Sequence, residues 1–183
     1  MTTPGKHTNG PARDALALLR ADHDKVRSLF LEFESLRGID DEDERKSELV
    51  DEICYELTLH TMIEEEIFYP VLRSAINDDD MMDEADVEHA GARELISQLE
   101  VMYPGDDHFD ATVVVLGEEV GHHIEKEESE MFEAARNAGI DLLRLAEQLA
   151  ARREELEDDL SSPATSIDAM EPHATRRAPR PPN

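Results

Sequence analysis

The stretch His60-Thr61-Met62-Ile63-Glu64-Glu65-Glu66-Ile67-Phe68-Tyr69-Pro70 reads as the inward face of a helix, because Ile63, Ile67 and Phe68 recur at helical spacing. The same face carries His60 and, four residues on, Glu64. Residues at i and i+4 stand one above the other on a helix, so the pair enters the core together. Burial of such groups is costly unless each finds a partner.

Working outward, turn signals and helical periodicity divide the chain into five helices. The first is predicted over about 12–37, with Leu16, Leu19, His23, Val26, Phe30 and Phe33 on its stripe and Gly38 as its stop. The acidic run IDDEDER suits the start of a second helix, which continues to about Ser74 with Leu49, Ile53, Leu57, His60, Glu64 and Ile67 inward. Pro70 is expected to kink or loosen its last turn. NDDD opens a third helix over about 80–103, with Met82, Ala85, Asp86, His89, Ile96 and Leu99 inward, and YPGDD ends it. The fourth spans about 107–137 on Val113, Leu116, Val120, His123, Glu127 and Met131, and a shorter fifth reaches about Asp158. No segment alternates with period two, and the loops between the four long helices are short. The expectation is all-α: an antiparallel up-down-up-down four-helix bundle over 12–158 with a short extra C-terminal helix. A loose leader (1–11) and a disordered Pro-rich tail (159–183) flank it.

Composition excludes several function classes. The net charge of −27 falls almost wholly before residue 160, because Arg176, Arg177 and Arg180 offset Asp168 and Glu171 beyond it. Such a field repels nucleic-acid phosphates and anionic lipid and concentrates cations, so neither nucleic acid nor membrane is an expected partner. No run approaches the roughly 18–20 apolar residues of a membrane span, and the polar start MTTPGKHTNGPARD lacks a secretory apolar segment. A cytoplasmic protein is expected. Cys54, the single cysteine, reads as a small core residue.

A bundle normally fills its central stripe with Leu, Ile, Val and Ala, yet here every long helix places a histidine there. His23, His60, His89 and His123 come from four helices, and Glu64 and Glu127 follow two of them at i+4. A shared cation would satisfy all six, since imidazole plus carboxylate suits iron, manganese, zinc or copper. Without metal, six such groups would need an unusually complete hydrogen-bond network.

The quartet LLRADHDKVRSLFLEFE, LHTMIEEEIFYPVL, EHAGARELI and HHIEKEESEMF resembles the hemerythrin-like, or HHE cation-binding, family over about 12–137. The resemblance implies two non-haem iron ions, bridged by the carboxylates of Glu64 and Glu127 and by an oxo or hydroxo group. It would assign His23 and His60 to one iron and His89 and His123 to the other. A ferritin-type reading, with Glu-x-x-His on two helices, finds a superficial match in Glu119/His122 and Asp86/His89. It fails on periodicity, because His122 shares its side with Glu118, Glu119, Lys126 and Ser129, a polar face. Phe30, Phe33, Phe68, Tyr69 and Phe132 are expected to pack around the site, and Glu65 or Glu128 to reach a ligand imidazole.

Such a centre can carry oxygen, break down peroxide or nitric oxide, or sense oxygen or iron through a regulatory protein or reductase. Oxygen-carrying members of the resembled family have a further histidine one turn before the third-helix ligand, where this chain has Ala85. Unless Asp86 replaces it, the iron of His89 and His123 keeps an exchangeable position, which favours peroxide breakdown. The alternative is an oxygen or iron sensor or carrier without catalysis.

Overall fold

The computed structural model describes residues 13–39, 41–76 and 78–161. Among these, all regular elements are helical: α1 (Ala15–Leu36), α2 (Asp43–Ile63), α3 (Tyr69–Ala75), α4 (Asp79–Leu99), α5 (Phe109–Lys126), α6 (Phe132–Asn137) and α7 (Leu142–Ser161). Two π-helical turns, Glu64–Phe68 and Glu127–Met131, join α2 to α3 and α5 to α6 without a break. The four rods of the bundle are therefore α1, α2 with α3, α4, and α5 with α6.

Local chemistry sets the ends. Asp14 and Asp78 cap α1 and α4 by accepting from the N–H groups of Ala17 (2.9 Å) and Met81 (3.2 Å). Gly38, at φ +71°, terminates α1 in a conformation that favours glycine. Pro70 falls in the first turn of α3, directly after the π turn, so the rod continues through it. α7 carries Leu145, Leu149 and Leu156 inward and packs along α1, α2 and the first π turn, ending three residues past the expected Asp158. The leader 1–11 and the tail beyond Ser161 lie outside the described residues.

The core has two apolar halves. One gathers Leu16, Leu19, Leu59, Phe68, Phe132 and Leu149, among others; the second gathers Val26, Phe33, Leu49, Ile53, Leu116 and Ile124, among others. Between them lies a polar layer in which His23, His60, Glu64, His89, His123 and Glu127 are each at most 7% exposed.

Candidate metal centre

Two groups of donors meet in that layer. His23, His60, Glu64 and Glu127 form the first, and Glu64, His89 and His123 the second, the ligand atoms of each group lying within 4.8 Å of one another. In the first, His23 Nε2 lies 3.2 Å from His60 Nε2 and 3.0 Å from Glu127 Oε2, and His60 Nε2 lies 3.3 Å from Glu64 Oε1. In the second, His89 Nε2 is 3.1 Å from His123 Nε2 and 3.5 Å from Glu64 Oε2. Glu64 thus turns one oxygen to each group. Glu127 falls in the first group, while Glu64 belongs to both.

The outer ring nitrogens show what the inner ones are for. His23 Nδ1 meets Glu128 at 3.0 Å, His89 Nδ1 meets Glu65 at 2.9 Å, and His123 Nδ1 meets Glu88 at 2.7 Å. An Nδ1–H donating to a carboxylate leaves Nε2 of a neutral imidazole as a bare lone pair. The His89 and His123 nitrogens, facing each other at 3.1 Å, would then repel unless a cation stands between them. Carboxylate oxygens agree: Glu127 Oε1 is buried without a hydrogen-bond partner, and Glu64 Oε1 and Glu127 Oε2 face the ring nitrogens of His60 and His23 at 3.3 and 3.0 Å. The donor set fits one metal ion in each group.

Electrostatics without metal are correspondingly strained. Burial, and then the neighbouring Glu127, push the Glu64 carboxyl well above the ordinary carboxylate range. Burial acts the same way on Glu127, but His23 and the other imidazoles outweigh it and bring this carboxyl down to about 2. Burial and the adjacent His123 lower His89 to about 4, and burial lowers His60 as well.

Both carboxylates open a π turn, and that feature hid one residue from the sequence. In an α-helix Tyr69 would lie about 140° around the axis from Glu64. A five-residue turn brings it back, with the Tyr69 N–H donating to the Glu64 carbonyl. Phe68 and Tyr69 are therefore buried, whereas Ile67, expected inward, is only half-buried. The Tyr69 hydroxyl ends 3.2 Å from His89 Nε2, 3.3 Å from His123 Nε2 and 3.4 Å from Glu64 Oε2. No periodicity signal could have found it.

Other expected positions are settled by burial. His122 is exposed. Asp86, expected inward, is exposed too and binds Arg73 at 3.0 Å, so it does not take the place of a histidine at the buried Ala85. Phe68 and Phe132 flank the site, with Phe132 stacked 5.9 Å from the His23 ring, whereas Phe33 packs on Phe109 in the second core half. A cavity of about 20 Å³ lies beside His60, His89 and His123, walled by Leu57, Ala92, Val120 and Ile124 with Thr61, Glu88 and Glu119. No helix among the described residues is long and apolar enough to cross a membrane.

Known proteins resemble this chain in sequence or in fold. A Nostoc sp. protein named as a DNA nickase is 32% identical over 120 residues, which are 66% of this chain and 33% of that protein. The chain thus spans about a third of the length of that relative. In the crystal structure of a hemerythrin HHE cation binding domain-containing protein from Mycobacterium kansasii, the fold recurs with a TM-score of 0.68 at 24% identity, over 80% of this chain and 89% of that one. The family model of the hemerythrin HHE cation binding domain matches residues 14–135, which hold all six residues of the two donor groups, and the chain belongs to that family.

Proposed function

We propose that this chain is a non-haem di-iron protein that breaks down peroxide. The observation that carries this is the pair of donor groups sharing Glu64 beside a cavity of about 20 Å³, room for one water-sized molecule. Two bound irons supply the two-electron redox cycling by which two hydrogen peroxide molecules become two waters and one dioxygen. His23, His60 and Glu127 would hold one ion, and His89 and His123 the other, with Glu64 between them. Glu65, Glu88 and Glu128 fix the imidazole tautomers by accepting from Nδ1. Leu57, Ala92, Val120 and Ile124 limit the space for water.

Support for peroxide comes from the cavity wall and no longer from Ala85, because the Tyr69 hydroxyl already stands beside the His89 and His123 nitrogens. Peroxide must lose two protons when it is oxidised to dioxygen. Glu119, an exposed residue that lines the cavity, would offer them a route to solvent. A cytoplasmic site of action fits the single, buried thiol of Cys54. Nicking is not carried over from the Nostoc protein, since a net charge of −27 opposes approach to DNA.

The second reading is an oxygen or iron sensor or carrier acting through a partner protein. It is favoured by the matched part being one third of a longer relative. Metal analysis of the purified protein, followed by oxygen-electrode measurement on adding peroxide, separates the two. Two irons per chain with oxygen evolution is the expected result. A reversible oxygenated spectrum with no oxygen evolved from peroxide overturns the enzymatic reading.

A further inference from the structure

The two halves of the centre repeat one plan. In each, a helix histidine (His23 or His89) has its Nδ1 held by the second glutamate of a π turn (Glu128 or Glu65), and that glutamate is itself gripped by Arg27 or Arg93. The acidic residue just before each of these histidines faces the Nδ1 of the histidine across the bundle: Asp22 lies 3.8 Å from His60, and Glu88 2.7 Å from His123. The first residue after each π turn places an aromatic ring on the helix histidine. Phe132 stacks on His23 at 5.9 Å, and Tyr69 on His89 at 5.3 Å. At this one matched position the halves differ by a hydroxyl, and that hydroxyl points into the second donor group.

The second group is also the poorer in donors, with three residues against four in the first. The Tyr69 oxygen supplies the fourth. Its separations from Glu64 Oε2, His89 Nε2 and His123 Nε2 are 3.4, 3.2 and 3.3 Å, and the distances among those three that join at His89 are 3.5 and 3.1 Å. Four atoms so spaced enclose a centre roughly 2.0–2.4 Å from each, overlapping the 2.0–2.2 Å of metal bonds to imidazole nitrogen and anionic oxygen. A hydroxyl acting only as a hydrogen-bond donor could serve one of three acceptors, whereas a ligand oxygen is expected to be equidistant from all its fellow ligands.

We propose that Tyr69 is a protein ligand, through its phenolate oxygen, to the metal bound by His89, His123 and Glu64. The two metal positions would then differ in kind, one completed by a carboxylate and the other by a phenolate. On binding, the phenol O–H bond breaks and its proton passes to solvent as the oxygen–metal bond forms. This inference rests on the metal-binding reading above, and the test keeps the two apart.

The full chain is loaded with ferric iron, its iron content is measured, and its visible absorption and resonance Raman spectra are recorded beside those of Tyr69→Phe. A phenolate-to-iron charge-transfer band is expected, with tyrosine ring modes enhanced on excitation within it. Both should be lost in Tyr69→Phe, while the first iron remains bound. Growth on ring-deuterated tyrosine should shift the enhanced modes in the wild type, which holds whether or not the variant folds. Iron-loaded wild type without tyrosine modes, or a band undiminished in Tyr69→Phe, overturns the ligand assignment and leaves the di-iron reading standing. Wild type that takes up no iron overturns both.

Discussion

Replacing Glu128 with alanine removes three bonds at once. Its carboxylate accepts from His23 Nδ1 (3.0 Å), Arg20 Nε (3.0 Å) and Arg27 Nη1 (2.9 Å). His23 is fully buried, so its orphaned N–H is expected to cost about 1.5–3 kcal/mol, the range for hydrogen bonds to charged groups. The arginines are 46% and 39% exposed, and their pairs add at most about 1 kcal/mol. A loss of roughly 2–4 kcal/mol corresponds to a Tm lowered by about 4–16 °C in a domain of this size. The imidazole would also be free to rotate, and loss of such a partner typically weakens metal binding by about 10- to 100-fold. Burial acts to raise the Glu128 carboxyl, but the His23 hydrogen bond and the two arginines outweigh it and hold it below its ordinary value. A depressed carboxyl contributes stability above its unfolded value of about 4.5 and loses it as pH falls through the folded one. Calorimetry of the metal-free protein at pH 7 and below 4, with chelator competition on the loaded protein, measures both effects. The deficit should be largest at pH 7, shrink in acid and persist in 1 M salt. A deficit below 1 kcal/mol at pH 7, or one abolished by salt, would show that the exposed arginine pairs, and not the buried imidazole, carried the interaction.

Glu64→Gln should abolish metal retention in both groups, yet raise the Tm of the metal-free protein at pH 8. The Glu64 carboxyl is pushed up, so its contribution is complete below about 4.5 and is lost as pH rises through the folded value. The advantage of the amide should therefore vanish near pH 4, and an equal or lower Tm at pH 8 contradicts it. His123→Ala should reduce iron content and bleach the visible bands, whereas His122→Ala, on the exposed side of α5, should leave both intact; the reverse order would place the wrong histidine in the core. Phe132→Ala removes a fully buried ring stacked on His23 and is expected to cost about 3–5 kcal/mol in denaturant unfolding, a value below 1 kcal/mol implying that the site collapses without a cavity.

The bundle and the inward histidines were legible because each rests on the 3.6-residue period up to Glu64 and Glu127. Leu16, Leu19, His23 and Val26 on α1 and Val113, Leu116, Val120 and His123 on α5 are all buried where that period puts them. Beyond the two carboxylates the period changes. A π turn is a five-residue hydrogen-bonded ring with no compositional mark in EEEIF or EESEM, so Ile67 was expected inward and Tyr69 was read only as packing. Asp86 was misplaced for a different reason. It is one residue from Ala85, at the edge of the buried face, and it turns to solvent, where Arg73, well removed in sequence and invisible to local spacing, meets it at 3.0 Å.

The polar layer between the two apolar halves also bears on how long the molecule survives. A core cut across by six ionisable side chains holds its two apolar halves together less firmly when no cation neutralises the cut, because burial of such groups opposes the packing around them. Opening of one half would then no longer require opening of the other, and partial unfolding becomes the easier excursion. Ions that bind only the closed form suppress those excursions in proportion to their supply. Proteases act on the opened fraction, so the half-life of the chain, and with it its abundance, would follow the availability of its metal without any change in synthesis.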